Sequence, residues 1–243
     1  MMSIHKIGLL TVTHDPLGKN IDLFKRLKKV IEDLYPELYM AISEESSIKL
    51  IREIENSNFN IKIIPKKGAA FARRAVLNFG LTGECGFYHY VDFDRLLTWA
   101  NNHLVELKEL KKMLTNQDYM IIGRTERAMN THPVEWIETE RITNKICSIE
   151  LSMDVDITAG SCGFSRESAE YIHKYSNDKM TDGEWPMIVD RMADLRIGYI
   201  AVEGLEYFEE INGISRPISD SEKWLDRLRL SLIISESAIK TGR

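Results

Sequence analysis

Between residues 7 and 124 the chain alternates short apolar or β-branched runs with longer stretches of helical periodicity, and this alternation most constrains its fold. Ile7–Thr13 is a nearly continuous apolar run, as expected of a strand buried on both faces. It ends in the turn sequence His14-Asp15-Pro16-Leu17-Gly18. Leu23, Phe24, Leu27, Val30, Ile31 and Leu34 then recur at helical spacing ahead of Pro36. Leu38–Ile42 reads as a second strand, and Ser46 or Ser47 can cap a helix carrying Ile48, Ile51 and Ile54. Asn60–Pro65 gives a third strand, Gly68 a break and Ala69–Phe79 a helix. Phe87–Val91 is aromatic and β-branched, a fourth strand. Leu104, Leu107, Leu110 and Leu114 mark a further helix before a fifth strand at Tyr119–Gly123. Repeated β-α order predicts an α/β fold: a mostly parallel central sheet with helices on both faces.

The second half is less regular. Helices are expected over Glu138–Leu151, Glu167–Tyr175 and Glu184–Asp194, with strands near Ile157–Phe164 and Gly198–Val202. Ser219 and Glu222 have capping-box spacing ahead of a C-terminal helix, Asp220–Lys240, that carries Trp224, Leu225, Leu228 and Leu232. Its apolar stripe suits packing on the domain, and leaves homodimerisation and membrane contact open. No internal repeat or Pro/Gly/Ser-rich linker divides the chain, so a single domain over 1–243 is the simplest reading.

With 243 residues, 44% hydrophobic and 28% charged, the chain has the balance of a globular protein with a real core. A net charge of -5 argues against a general nucleic-acid binder. No apolar run approaches the roughly 20 residues that span a bilayer. The opening MMSIHKIGLLTVTHD lacks a signal peptide's longer apolar stretch and cleavage site. Cys85, Cys147 and Cys162 are too scattered for a disulfide framework or a zinc-cysteine site. A cytoplasmic location is the expectation.

In open α/β sheets ligands bind at the carboxyl ends of the strands. Thr11, Thr13, His14 and Asp15 follow the first strand, Glu44 and Glu45 the second, Lys66 and Lys67 the third, Asp92 and Asp94 the fourth, and Arg124 the fifth. No phosphate-binding P-loop, dinucleotide glycine fingerprint or G-x-S-x-G elbow is present. The most informative segment is Tyr90-Val91-Asp92-Phe93-Asp94-Arg95. Read as a strand, it sets both carboxylates on one side, where they could address one hard divalent cation such as Mg²⁺ or Mn²⁺. A second such pair, Asp154-Val155-Asp156, precedes a strand instead of ending one.

Gly68 through Leu77, with Ala72-Arg73-Arg74, followed by Phe87-Tyr-His-Tyr-Val-Asp92-Phe-Asp94, resembles the core of the family 2 glycosyltransferases and their GT-A-fold relatives. Ile42-Ser43-Glu44-Glu45-Ser46 is similar to that family's Val-Asp-Asp-Gly-Ser, with both aspartates replaced. Ala159 through Glu167 resembles its glycine-bearing acceptor-side strand. Thr181-Asp182-Gly183-Glu184-Trp185 resembles its Glu-Asp region, here with Gly183 between the two acids. Arg74 stands where the family usually has Asn. The resemblance runs from about Ile7 to Val202 in the expected order.

The resemblance implies a single GT-A-like domain with a nucleotide-binding half at 1–125, an acceptor half at 126–210 and a C-terminal helical extension at 211–243. It implies transfer of a sugar from a nucleoside-diphosphate-sugar donor to a hydroxyl acceptor, assisted by Mg²⁺ or Mn²⁺ on Asp92 and Asp94. Donor contacts would come from Thr11, Thr13, His14, Glu44, Lys67, Arg73 and Asp92. Arg124, Gly160, Ser161 and Trp185 would lie on the acceptor side. Asp182, or failing it Glu184, would act as base in an inverting transfer. Each position also has a plainer reading. Arg73 and Arg74 suit a solvated helix face, Glu44 and Glu45 a helix N-terminus, and Asp182 a helix cap. Trp136 and Trp185 could fill core, and His89 and His173 fit structural roles. Rival functions are a nucleotidyltransferase that makes the nucleotide sugar, and a non-catalytic nucleotide-binding module.

Overall fold

Strand and helix alternate through the first half as the periodicity predicts. In a computed structural model describing residues 6–213 and 219–243, β1 (Ile7–Thr13), α1 (Ile21–Leu34), β2 (Glu37–Ser43), α2 (Ile48–Glu55), β3 (Asn60–Ile64), α3 (Ala69–Gly80) and β4 (Phe87–Val91) come first. They are followed by α4 (Phe93–Asn102), α5 (Leu104–Met113), β5 (Tyr119–Arg124), a short α6 (Glu126–Met129) and the long α7 (Val134–Leu151). The chain ends with β6 (Ser161–Ser165), α8 (Arg166–Tyr175), α9 (Thr181–Met187), β7 (Ile197–Val202), α10 (Glu209–Asn212) and α11 (Asp220–Lys240).

The strands form one sheet in the order β3-β2-β1-β4-β6-β5-β7. All neighbours pair in parallel except β6, which is antiparallel to both β4 and β5. Because successive strand residues point to opposite faces, Leu9, Met40 and Ile42 join a core with Phe24, Ile31, Leu97 and Trp99. Leu10, Tyr39, Ala41 and Tyr90 join a second core with Val76, Leu77, Phe164 and Trp185 on the other face. Burying each large apolar side chain contributes about 1.5–3 kcal/mol. Two covered faces explain why the central strands β1 and β2 read as nearly continuous apolar runs.

Several local expectations change. The Asp92–Asp94 pair does not prolong β4. The strand ends at Val91, Asp92 is the N-cap of α4, and Asp94 lies in its first turn. Phe93, Leu96, Leu97 and Ala100 carry the helical spacing that drives this, and all four are buried. The strand expected near Ile157–Phe164 begins only at Ser161, and the helix expected over Glu184–Asp194 begins at Thr181 and passes into a π-helical turn at Ile188–Met192. Ser47 occupies the N-cap position of α2 without a side-chain bond, while Ser46 accepts from the Asp15 N–H at 3.1 Å. The Ser219–Glu222 capping box forms in full. Helix α11 packs on α7 and α9, and Gly183 makes this possible: a Cβ there would lie 2.3 Å from the Ile234 carbonyl oxygen. Among the described residues no helix is long and apolar enough to cross a membrane.

Candidate active site

The carboxyl ends of β1, β2, β3 and β4 open into a cleft of about 780 Å³, where an α/β sheet of this order is expected to bind a ligand. Its floor and walls include Thr13, His14, Ser43, Lys66, Lys67, Asp92 and Asp94. Asp15 shapes one rim. Its carboxylate accepts from the Lys19 and Asn20 backbone N–H groups at 3.0 and 2.9 Å, folding the turn after β1 into a fixed loop. Across the opening, Lys19 Nζ donates to the Gly213 carbonyl at 3.2 Å, tying the C-terminal end of α10 to this rim. Lys19, Lys66 and Lys67 bring three ammonium groups to the cleft that also holds the carboxylates of Asp15, Asp92 and Asp94. Lys66 is partly compensated by Glu45 at 2.9 Å, and Lys67 lies 5.5 Å over the Phe71 ring. Burial and the Lys66 charge together hold the His14 pKa below its ordinary value.

Asp92 and Asp94 line the cleft together, oriented by neighbours from distant parts of the chain. Helix N-termini favour carboxylates, so the first turn of α4 is a suitable seat for both. Asp94 Oδ2 accepts from Asn212 Nδ2 at 2.7 Å. Asn212 Oδ1 accepts from the Phe208 N–H at 2.9 Å, which fixes the orientation of that amide. Asp92 is held by Arg73, whose Nη2 donates to Oδ2 at 3.1 Å, and by the Tyr90 hydroxyl, which donates to Oδ1. Arg73 also donates to Tyr90 at 3.0 Å, Thr181 at 3.1 Å and Asp182 at 2.5 Å. One buried guanidinium thus serves two carboxylates. Burial pushes the Asp92 pKa up, against the opposing pull of Arg73. Gly160 adopts φ +72°, and a Cβ there would meet Asp92 Oδ2 at 2.6 Å. A side chain at 160 would displace the carboxylate.

The donor set fits a hard divalent cation. Asp94 has one oxygen without a partner among the described residues, and each Asp92 oxygen keeps a lone pair beyond its single hydrogen bond. No cluster of three or more His, Cys, Asp or Glu side chains suited to a metal occurs among the described residues. The remaining ligands would therefore come from water and a bound phosphate, the arrangement Mg²⁺ usually takes.

The other residues singled out by the sequence divide between cleft and core. Thr13, His14, Lys67 and Arg73 reach the cleft. Thr11 is fully buried within β1, and the hydroxyl has no partner among the described residues. Glu44 is exposed beyond β2. Asp182 is engaged by Arg73 and faces a small inner cavity together with Trp185, Gly160 and Ser161. Trp185 is 2% exposed and packs edge-on against Tyr90 and Phe164. Ser161 donates to the Tyr90 carbonyl at 3.1 Å. Glu184 accepts from the Asn177 and Asp178 N–H groups at 2.6 and 2.7 Å and pairs with Arg74, so it organises the loop before α9. Arg124 is buried against Asp156 and Glu140, each at 2.7 Å. His89 is buried between Tyr35 and Ser161, its pKa lowered to about 3 by burial.

Tyr90 and Asn212 emerge only from the structure. Tyr90 had a signal, being two positions before Asp92. Asn212 lies far from Asp94 along the chain, and nothing local marks it.

No family model matches the sequence, and neither does any curated protein. Solved structures do. Glucosyl-3-phosphoglycerate synthase from Mycobacterium tuberculosis in complex with Mn²⁺, UDP and phosphoglyceric acid aligns over 96% of this chain and 78% of its own, at 15% identity and TM-score 0.56. The same protein with Mg²⁺ and UDP aligns over 96% and 79% at 14% identity and TM-score 0.54. With phosphoglyceric acid alone it aligns over 99% and 82% at 12% identity and TM-score 0.53. This chain therefore has the GT-A fold of the nucleotide-sugar glycosyltransferases.

Proposed function

We propose that this protein is a glycosyltransferase that moves a sugar from a nucleoside-diphosphate donor to a hydroxyl acceptor with a divalent cation. The observation that carries the reading is the pair Asp92 and Asp94, opening on a lysine-bearing cleft at the carboxyl ends of β1–β4. The structural neighbours, crystallised with UDP and Mn²⁺ or Mg²⁺, support the same class of ligand.

Asp92 and Asp94 would hold the ion, which when bound neutralises charge on the departing diphosphate. Lys67, with Lys66 beside it, is placed to meet phosphate oxygens through charge-assisted hydrogen bonds. Thr13, His14 and Ser43 border the end of the cleft that would receive the nucleoside. Arg73 acts through Asp92: bonded at once to Asp92, Tyr90 and Asp182, it holds the carboxylate in place. Asp182 in turn anchors Arg73.

A thermal-shift and donor-hydrolysis panel of UDP-, GDP- and dTDP-sugars, with and without Mn²⁺, tests the proposal. Metal-dependent stabilisation and turnover with one donor class is the expected result. Donor binding without metal-dependent turnover would assign a nucleotide-binding role instead, and pyrophosphate exchange would assign a nucleotidyltransferase.

A further inference from the structure

Helices α7 and α11 lie side by side and run in the same direction. Near their starts, Arg227 stacks 3.9 Å over the Trp136 ring, and towards their ends Arg243 pairs with Glu150 at 2.6 Å. Between these points the seam is made of small hydroxyl residues. Ser231 donates to the Thr139 carbonyl at 3.1 Å and lies 2.6 Å from the Thr143 hydroxyl.

Beside this seam both helices carry large apolar side chains in solvent. On α11, Leu225, Leu228 and Leu232 are 45%, 52% and 59% exposed; on α7, Ile142 and Ile149 are 54% and 64% exposed. At about 100° per residue, the α7 pair precedes its contact line by roughly 80–100°. The α11 residues follow theirs by roughly 60–120°. For two parallel right-handed helices these displacements bring both sets to the same side. The result is one apolar patch, about 20 Å long on α11 and about 10 Å long on α7, and about 20 Å wide across both helices. At about 400 Å² per partner it lies at the small end of interface sizes, which suits a dimer that forms at micromolar concentrations.

The pattern on this face indicates what covers it. Leu225, Leu228, Leu232 and Ile239 follow heptad spacing, with Ser235 at the intervening position. Arg229 and Glu236 lie one heptad apart on the flank of that seam and have opposite charge. Two copies of α11 crossing antiparallel about a two-fold axis near Leu232 would set Leu225 against the partner's Ile239. The same crossing would set Arg229 against the partner's Glu236. The sequence is therefore complementary to itself in this arrangement. An anionic lipid surface would instead favour a basic flank, and this flank alternates in sign.

We propose that the α7–α11 face is a homodimer interface with an antiparallel pair of α11 helices at its centre. Sedimentation equilibrium on the full chain at tens of micromolar tests it, with an expected mass twice the 28.0 kDa of the chain. The double variant Leu228→Glu/Leu232→Glu is expected to sediment as a monomer with unchanged circular dichroism. Arg229→Glu, which leaves the apolar seam intact, should weaken dimerisation about tenfold. Adding Glu236→Arg to it should restore the dimer. A monomeric wild type, a dimer indifferent to these variants, or a monomer recruited to phosphatidylglycerol vesicles would each overturn the proposal.

Discussion

Arg73 is the residue on which the site's geometry turns. Its side chain is 9% exposed and shared between Asp92 and Asp182, whose side chain is 7% exposed. Removing one member of a buried ion pair leaves the other charge uncompensated, at a cost of about 3–5 kcal/mol. Arg73→Ala should therefore lower the melting temperature markedly. Arg73→Lys, which keeps the charge but not the planar fork, should be better tolerated by the fold while still weakening Mn²⁺ binding. A calorimetric Mn²⁺ titration beside a melting curve separates the two effects. Gly160→Ala makes a narrower test. The new Cβ needs the space that Asp92 Oδ2 occupies, and the positive φ disfavours it further. It should reduce metal affinity while wild-type-like circular dichroism persists. Asp92→Asn with Asp94→Asn should lower metal-dependent donor hydrolysis at least about a hundredfold and leave the fold intact.

At the scale of elements, the parallel half of the sheet was legible because buried strands and amphipathic helices repeat different periods. β1 and β4 fall at the expected residues. What was not legible depends on tertiary partners. The boundary between β4 and α4 falls inside the Asp92–Asp94 motif, where strand and helix readings compete over a few residues. Asp92, Asp94, Lys67 and Arg73, all singled out by the sequence, line one cleft, whereas Asn212 is brought to Asp94 by α10 packing on α4. Arg124 looked like a site residue because it ends a strand. In the structure it ties β5 to the segment before β6 through Asp156. Burial alone would raise the Asp156 pKa, but Arg124 overcomes it and lowers the value to about 2 from 3.8. A depressed carboxylate pKa stabilises the fold at every pH above the unfolded value. That contribution, on the order of 2 kcal/mol, should disappear as the pH falls from about 4 to about 2. Urea unfolding across this range should show the loss in wild type and a shallower slope in Asp156→Asn.

For the molecule as a whole, the proposed binding of a nucleoside diphosphate with a divalent ion rests on sheet order, cleft position and carboxylate placement at the carboxyl edge of β1–β4. Ligands that bind only the folded state raise its stability by about 2.7 kcal/mol at a hundred times their dissociation constant. For a domain of this size that amounts to about 5–10 °C in melting temperature. The most direct measurement is isothermal titration of UDP, GDP and dTDP into the wild-type chain with and without Mn²⁺, paired with melting curves of the same mixtures. At least one nucleotide is expected to bind, more tightly with Mn²⁺, and to raise the melting temperature by that margin. Failure of all three to bind, or binding unaffected by Mn²⁺, would contradict the proposed function.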